Sequence, residues 1–170
     1  MPRLLKSWGV AALALGQLAF PASAAPPSAA SGASLTLAKP VSIVKTADLD
    51  FGSLTVTSGG TAVVDPNTSQ LSVTGGVVRI GGSAQPARFE VSASRLALIV
   101  IRVPDTPITL TRIGGTEQMT VSNWTLNRFF LTLIDQATPI QFAVGGTLNV
   151  AANQVEGTYQ GTFPVTVDYF

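Results

Sequence analysis

The amino-acid sequence predicts an all-β protein folded as an antiparallel β-sandwich. Beyond residue 30, apolar and β-branched runs of about four to eight residues alternate with glycine, proline and asparagine. No long segment keeps the 3.6-residue apolar period of an amphipathic helix. Residues 157–170 alternate with period two, which is typical of a strand with one buried face. Short strands at this spacing favour a sandwich over a parallel α/β sheet.

Each predicted strand is a run rich in residues that strands prefer, bounded by residues that prefer turns. In chain order the predicted strands cover residues 34–37, 41–44, 51–57, 61–64, 70–73, 77–80, 87–93, 97–103, 108–111, 118–121, 129–134, 147–150 and 159–169. Glycine pairs at 59–60, 75–76, 81–82, 114–115 and 145–146 are predicted to form tight hairpin turns. None carries the lysine of a phosphate-binding loop, and none lies between a strand and a helix.

The apolar positions of these strands predict the core. Residues 96–101 are continuously apolar, which predicts a central strand covered on both faces. The other predicted core residues are Leu49, Phe51, Leu54, Phe89, Val91, Trp124, Leu131, Leu133, Phe142, Val144, Leu148 and Val150.

The N-terminus has the three regions of a secretory signal peptide. Arg3 and Lys6 precede an apolar stretch over residues 8–20, and Ala22-Ser23-Ala24 supplies a small-residue cleavage site. The apolar stretch is shorter than the roughly 20 residues that span a bilayer. We therefore expect a signal peptide over residues 1–24, export of the chain, and no membrane span.

Composition argues against several classes of function. The chain has ten basic and nine acidic residues, and removal of Arg3 and Lys6 leaves eight and nine, a net charge of −1. That charge predicts no nucleic-acid partner. The chain has no cysteine and no histidine, which excludes disulfides, Ser-His-Asp catalysis and ordinary zinc sites. We expect a protein that is not an enzyme and that uses no cofactor or metal.

Three minor motifs have two interpretations each. Asp48 and Asp50 share a strand face and could contribute to a calcium site, although solvated edge charges are the favoured interpretation. Asn67 and Asn123 begin matches to the glycosylation pattern, which is a short and common pattern. Trp124 could stack on a sugar, but a single tryptophan in a sandwich is more often part of the core.

The C-terminal alternation has a further regularity. Gly157, Tyr159, Gly161, Phe163, Val165, Val167 and Tyr169 are in phase, with Gly157 fourteenth from the end and Tyr169 penultimate. This ending resembles the C-terminal signature of chaperone–usher pilus subunits. The resemblance implies an immunoglobulin-like or pilin-like sandwich that lacks its final strand. It also implies a groove filled first by a periplasmic chaperone and then by the N-terminal arm of another subunit.

Carried over residue by residue, the resemblance assigns the groove to Gly157, Tyr159, Phe163, Val165, Val167 and Tyr169, with the carboxylate of Phe170 as the chaperone's anchor. The arm would be residues 25–44, followed by the sandwich domain over residues 45–170. Its candidate donor residues are Ala33, Leu35 and Leu37. Two departures are the missing disulfide of many pilins and Pro164, which removes one backbone donor from the strand.

A broader resemblance covers nearly all of the exported chain. The stretches 49–54, 59–61, 64–66, 89–91 and 144–150, together with the C-terminal alternation, are similar to a family of secreted bacterial domains of unknown function. It implies a pilin-like or surface-structural role, and no catalytic residues.

Two main functional hypotheses follow. The first is a secreted, non-enzymatic structural subunit of a fimbrium or of the cell surface, with other copies of itself, related subunits and a periplasmic chaperone as partners. The second is a self-complete monomer, in the periplasm or on the surface, that binds carbohydrate or protein. In the second hypothesis Leu35, Leu37, Val41 and Ile43 pair within their own chain. A carboxylate-dependent hydrolase is a third hypothesis, which requires two of the scattered acids to converge.

Overall fold

The structure is a computed structural model that describes residue 35 and residues 41–170. The described residues form eleven β-strands and no helix, which confirms the predicted all-β class. The strands are β1 (Val41–Ala47), β2 (Ser53–Val64), β3 (Leu71–Gly81), β4 (Ala87–Ala93), β5 (Ala97–Arg102), β6 (Ile108–Arg112), β7 (Gln118–Leu126), β8 (Leu131–Ile134), β9 (Ile140–Val150), β10 (Tyr159–Gln160) and β11 (Thr166–Tyr169).

The predicted signal peptide, residues 1–24, lies outside the described residues, as do Ala33 and Leu37 of the predicted donor strand. Over the described part of the chain, no helix is long and apolar enough to cross a membrane.

The strands form two antiparallel sheets. The eight-stranded sheet has the order β1-β4-β9-β7-β6-β10, and β2 joins it through β9 and carries β3 on its other edge. The three-stranded sheet has the order β11-β5-β8. Strand β9 organises the larger sheet, because residues 140–144 pair with β4 and residues 146–150 pair with β2. Strand β7 pairs along the other edge of β9.

Two apolar clusters hold the sheets. The first lies between the sheets and combines residues of β4 and β9 with residues of β5 and β8, so the sheets pack face to face as in a sandwich. Its rings Phe89 and Phe142 stack with centroids 5.2 Å apart. The second cluster lies under β2, β3, β7 and the end of β9. Leu49 and Trp124 pack against both clusters, so they join the two parts of the core.

Three of the five glycine pairs do not form the predicted hairpin turns. Pairs 59–60 and 75–76 lie inside β2 and β3, where Gly60 is opposite Gly75. An added Cβ on Gly60 would lie 2.1 Å from the carbonyl oxygen of Thr74, so glycine allows the two backbones to approach closely. The pair 145–146 lies inside β9, where the partner on one edge changes from β4 to β2. A Cβ on Gly145 would meet the carbonyl oxygen of Val64 at 2.1 Å.

The predicted core is wrong at one sheet. Strand β5 alternates between buried and more exposed residues, so only one of its faces is covered. Leu131 and Leu133 on β8 are 44% and 60% exposed. Both strands belong to the three-stranded sheet, and only its inner face packs against the larger sheet. A continuous apolar run therefore does not mean two covered faces here.

The predicted C-terminal strand over residues 159–169 is also interrupted. Strand β10 pairs with β6 in the large sheet, whereas β11 pairs with β5 in the small one. Residues 161–165 form no strand and carry the chain from one sheet to the other. A Cβ on Gly161 would lie 2.5 Å from the carbonyl oxygen of Thr109, so glycine allows the chain to pass close to β6 where it leaves the large sheet.

Candidate interaction seam between the two sheets

Two edge strands approach one another where the sheets meet. Strand β1 pairs only with β4, and β11 pairs only with β5, so each lies at the edge of its sheet. Some Cα atoms of β1 and β11 lie within 8 Å, yet the two strands do not pair. Their outer edges have no strand partner among the residues that the structure describes. We call the region between these edges the β1–β11 seam.

The β1 wall of the seam is apolar and poorly covered. Ile43 lies opposite Val91 of β4, so its side chain is on the core face of the sheet. Val91 is fully buried, at 0% exposure, whereas Ile43 is 37% exposed. Val41, on the same face, packs against the first core cluster and is partly buried. The core is therefore open along β1.

The β11 wall has the same property. Tyr169 lies opposite Ile99 of β5, which is 0% exposed, yet Tyr169 is 51% exposed. Val167 lies opposite the buried Ile101 and is itself only partly buried. Phe163 and Val165, which precede β11, also pack against the first core cluster and stay partly buried. The core is therefore also incompletely covered along β11.

The charges beside the seam are paired locally. Lys45 of β1 binds Asp48, and Arg102 Nε donates to Asp168 Oδ2 at 2.7 Å across the β5–β11 pair. Both pairs are exposed, so each contributes little to stability. Lys45 also hinders pairing along its part of β1, because a lysine on an edge strand disfavours addition of another strand. The accessible part of the β1 edge is therefore residues 41–44.

The structure divides the groove residues predicted from the C-terminal alternation. Val167 and Tyr169 lie on the β11 wall of the seam. Phe163 and Val165 precede β11 and pack against the first core cluster. Phe170 continues the β11 ladder, since its N–H donates to the carbonyl of Leu98 at 2.9 Å, and its exposed side chain is on the opposite face from Tyr169.

Gly157 and Tyr159 lie elsewhere, at the corner between β6 and β10. Gly157 has a φ of 146°, and an added Cβ would lie 2.8 Å from the Cδ atom of Arg112. The hydroxyl of Tyr159 donates to the carbonyl of Val155 at 2.6 Å and accepts from Gln154 at 2.8 Å. Gly157 and Tyr159 therefore stabilise the corner between β6 and β10 and do not line the seam.

The first wall of the seam contains the strand that the sequence predicts over residues 41–44, although the resemblance also assigns these residues to the arm. In the structure β1 begins at Val41 and pairs with β4 of its own chain. Residues 41–44 therefore belong to the sheet. The signal for this wall is the alternation of Val41 and Ile43 with polar Ser42, which is typical of a strand with one apolar face. Of the candidate donor residues, Leu35 is 87% exposed.

Asp48 and Asp50 make local contacts. In the described part of the chain no three acids, histidines or cysteines group as a metal site would require. Asp50 accepts a hydrogen bond from the Gly52 N–H at 2.7 Å, as in a turn, and Asp48 pairs with Lys45. These contacts explain Asp48 as an edge charge and Asp50 as a turn residue, which is the favoured interpretation of the two aspartates.

Two other carboxylates have lowered pKa values because they accept hydrogen bonds. The N–H of Asn67 donates to Asp65 at 2.7 Å and lowers the pKa of that carboxyl. Arg112 Nε donates to Glu117 at 2.6 Å and lowers the pKa of Glu117. These carboxylates stabilise the turns between β2 and β3 and between β6 and β7 in their ionised form.

Trp124 is built into the core. Its ring packs on Phe163 with centroids 4.5 Å apart, and its Nε1 donates to the carbonyl of Thr106 at 3.3 Å. Because Phe163 occupies one face of the indole and both core clusters contact it, the core interpretation accounts for this residue.

Comparison with known proteins identifies one family. The sequence model of that family, described as Domain of unknown function (DUF4402), matches residues 41–169. The match begins at the first residue of β1 and ends at the last residue of β11, so it contains both walls of the seam. No curated protein and no solved structure matches the chain. Because the match covers most of its length, the chain belongs to the DUF4402 family.

Proposed function

We propose that this protein is an exported, non-enzymatic structural subunit with an immunoglobulin-like or pilin-like sandwich, which assembles by accepting a strand at the β1–β11 seam. The observation that carries the proposal is the exposure of Ile43 and Tyr169, although both are on the core face and their cross-strand partners are fully buried. Edge strands usually avoid such exposure, because unpaired edges promote association.

The added strand would contribute in two ways. Its backbone groups would pair with one free edge, that of β1 or that of β11, and its alternate side chains would cover the opening beside Ile43 or Tyr169. Such strand addition obtains affinity from the main chain and specificity from the side-chain sites.

The N-terminal arm of another copy supplies a suitable strand. Residues 25–40 precede β1, and Ala33, Leu35 and Leu37 alternate with polar residues in period two. A donor with small and medium apolar side chains suits a narrow seam between two edges. Export by the signal peptide and protection of the empty seam by a periplasmic chaperone complete the proposal.

A peptide of residues 25–40 tests this proposal. Added to the chain that begins at residue 25, it should raise the melting temperature, because a ligand that binds only the folded state stabilises that state. At a hundredfold excess over its dissociation constant the gain is about 2.7 kcal/mol. The matched control is the same peptide with Leu35→Ser and Leu37→Ser, which should have little effect. If sedimentation shows the chain without peptide to be monomeric, an equal melting temperature with and without the peptide, at all concentrations, would refute strand acceptance in trans.

The second candidate is a self-complete monomer that binds carbohydrate or protein. Residues 41–44 pair in cis with β4, so the chain next to the arm belongs to its own sandwich, and this observation favours an arm that also pairs in cis. A turn over residues 38–40 would bring residues 33–37 antiparallel to β1. In this case the protein stays monomeric and unfolds cooperatively, and the peptide does not change its melting temperature.

A further inference from the structure

The hydrogen bonds of β11 show which of its main-chain groups face its free edge. The N–H of Phe170 donates to the carbonyl of Leu98 at 2.9 Å, so every second residue counted back from Phe170 bonds to β5. Ile101, which lies opposite Val167, donates instead to a main-chain carbonyl on the β8 side at 2.7 Å. Because main-chain groups alternate sides along a strand, the N–H and C=O of Val167 and Tyr169 point away from β5. A strand that adds to β11 would bond to these two residues.

The same two residues carry their side chains on the core face, because they lie opposite Ile99 and Ile101 of the core. Directly opposite residues of an antiparallel pair share a face of the sheet. An apolar residue opposite Val167 or Tyr169 would therefore bond to its main chain and also cover the open core. In the arm, polar residues alternate with apolar ones, as Ala33, Ser34, Leu35, Thr36 and Leu37. One alignment thus gives the donor an apolar inner face and a polar outer face.

The edge of β1 is protected against the addition of a strand. Lys45 lies opposite Phe89, which is buried in the first core cluster, so Lys45 is on the core face of an edge strand. An inward-pointing charge on an edge strand disfavours pairing, because a further strand would remove the charge from water. On β11 the charged residue is Asp168, which is on the outer face and pairs there with Arg102. The edge of β11 is therefore the more accessible of the two.

The N-terminus of β1 and the C-terminus of β11 lie at the same end of the sandwich. Val41 is opposite Ala93, the last residue of β4. Phe170 bonds to Leu98, the second residue of β5. Only residues 94–96 separate β4 from β5. The chain's own arm therefore enters the sandwich beside the end of β11 that carries Phe170.

From that end the chain's own arm cannot pair antiparallel with β11. An antiparallel donor that covers both edge residues of β11 runs away from Phe170, so its Leu37 lies beside Val167 or further on. The way back to the level of Phe170 is then about 10 Å or more, at about 3.3 Å per residue. Residues 38–40 alone would have to reverse the chain and cover that distance before Val41. A tight turn takes about two of them, and one residue spans only about 3.5 Å.

We propose that the strand accepted at the seam pairs with β11, runs antiparallel to it, and consists of residues 33–37 of a second copy of this chain. This pairing rests on the proposed function of strand acceptance and adds the edge, the direction and the source of the strand. Every strand pair in the described part of the chain is antiparallel, and parallel pairs are slightly less stable per residue.

Disulfide mapping with the peptide of residues 25–40 tests the edge and the direction, because the chain has no cysteine of its own. The peptide carries Ala38→Cys, and the chain that begins at residue 25 carries Thr166→Cys, Phe170→Cys or Val44→Cys, at three exposed positions. In the proposed pairing, residue 38 lies opposite Thr166 or just beyond it, in a pair whose Cα atoms are close enough for a disulfide. Phe170 is about 13 Å further along β11. We expect mild oxidation to link the peptide to Thr166→Cys about tenfold faster, or more, than to the other two variants.

The other results separate this pairing from strand acceptance itself. Faster linking to Phe170→Cys shows a parallel strand, and faster linking to Val44→Cys shows pairing with β1. Either result overturns the proposed pairing and leaves strand acceptance standing. So does a peptide that raises the melting temperature of all three variants and links to none of them. A peptide that neither links nor raises the melting temperature of a monomeric chain refutes strand acceptance, and the pairing with it.

The double variant Ala38→Cys/Thr166→Cys tests the source of the strand. If the strand comes from a second copy, oxidation gives disulfide-linked multimers whose yield rises with protein concentration. The matched control is Ala38→Cys/Ile80→Cys, which has its second cysteine at an exposed position on β3 and should give few multimers. An intramolecular disulfide as the main product, or a yield of multimers no higher than that of the control, overturns the assignment to a second copy. Circular dichroism verifies that both variants are folded.

Discussion

Replacement of Trp124 by alanine distinguishes a core tryptophan from a sugar-binding one. The indole lies where the two core clusters meet, packs against Phe163 with the two rings tilted by 32°, and donates to the carbonyl of Thr106. Its removal leaves a cavity at that junction and an acceptor without its donor. We therefore expect Trp124→Ala to destabilise the fold whether or not any glycan is present.

Three contributions set the size of the effect. Loss of the buried apolar surface costs about 1.5–3 kcal/mol for a full side chain, and Trp124 is only partly buried. The ring pair with Phe163 contributes about 0.5–1.5 kcal/mol. The hydrogen bond is long, at 3.3 Å, and contributes about 0.5 kcal/mol. Together they predict a loss of about 2–4 kcal/mol in the free energy of unfolding.

Urea denaturation followed by far-ultraviolet circular dichroism measures this loss without relying on the tryptophan as a probe. Trp124→Phe is the control, because it retains an aromatic ring beside Phe163 and loses only the N–H donor and some area. It should cost about 1 kcal/mol. The reasoning is refuted if Trp124→Ala costs less than about 1 kcal/mol while glycan binding disappears.

Two more predictions concern the glycines and the carboxylates. Gly60→Ala should cost about 1–3 kcal/mol, because its methyl group would meet the Thr74 carbonyl, whereas Gly81→Ala, with open space around it, should stay within about 0.5 kcal/mol. Equal denaturation midpoints would contradict the close approach of β2 and β3. Asp65 and Glu117 have lowered pKa values in the folded state, so their stabilisation is complete above the ordinary carboxyl pKa of about 4 and is lost as the pH falls further. In acid titrations of stability, Asp65→Ala and Glu117→Gln should each show a smaller loss below that pH than the wild type, and an unchanged slope would argue against these hydrogen bonds.

Much of the strand pattern could be predicted because it depends on local alternation. The bounds of β4, residues 87–93, agree with the prediction, and its alternate residues Phe89 and Val91 enter the core as predicted. Strand β9 was predicted only from residue 147, although it begins at Ile140. Its first half contains Gly145 and Gly146, and glycine pairs indicate turns when only neighbours in sequence are considered.

The errors arise where a residue's role depends on a distant strand. Position 60 needs glycine because the carbonyl of Thr74 lies close to it, and position 145 needs glycine because the carbonyl of Val64 does. Local alternation of apolar and polar residues predicts neither contact. Leu133 was predicted to be buried because it is apolar and in phase, but burial depends on whether a second layer covers that face. The seam needs two edges brought together across more than a hundred residues, so the sequence indicates a strand in each wall but not their approach.

The position of β9 has a consequence for the order of folding. Strands β2, β4 and β7 each pair with an edge of β9, so these pairings cannot form before β9 is available. Before residues 140–150 are available, the preceding chain can form hairpins such as β2–β3, but neither core cluster can close. Contacts across such long separations also make folding slow, because loop closure precedes the gain from packing. We therefore expect a nascent chain of this protein to keep both core clusters open until residues 140–150 have been made.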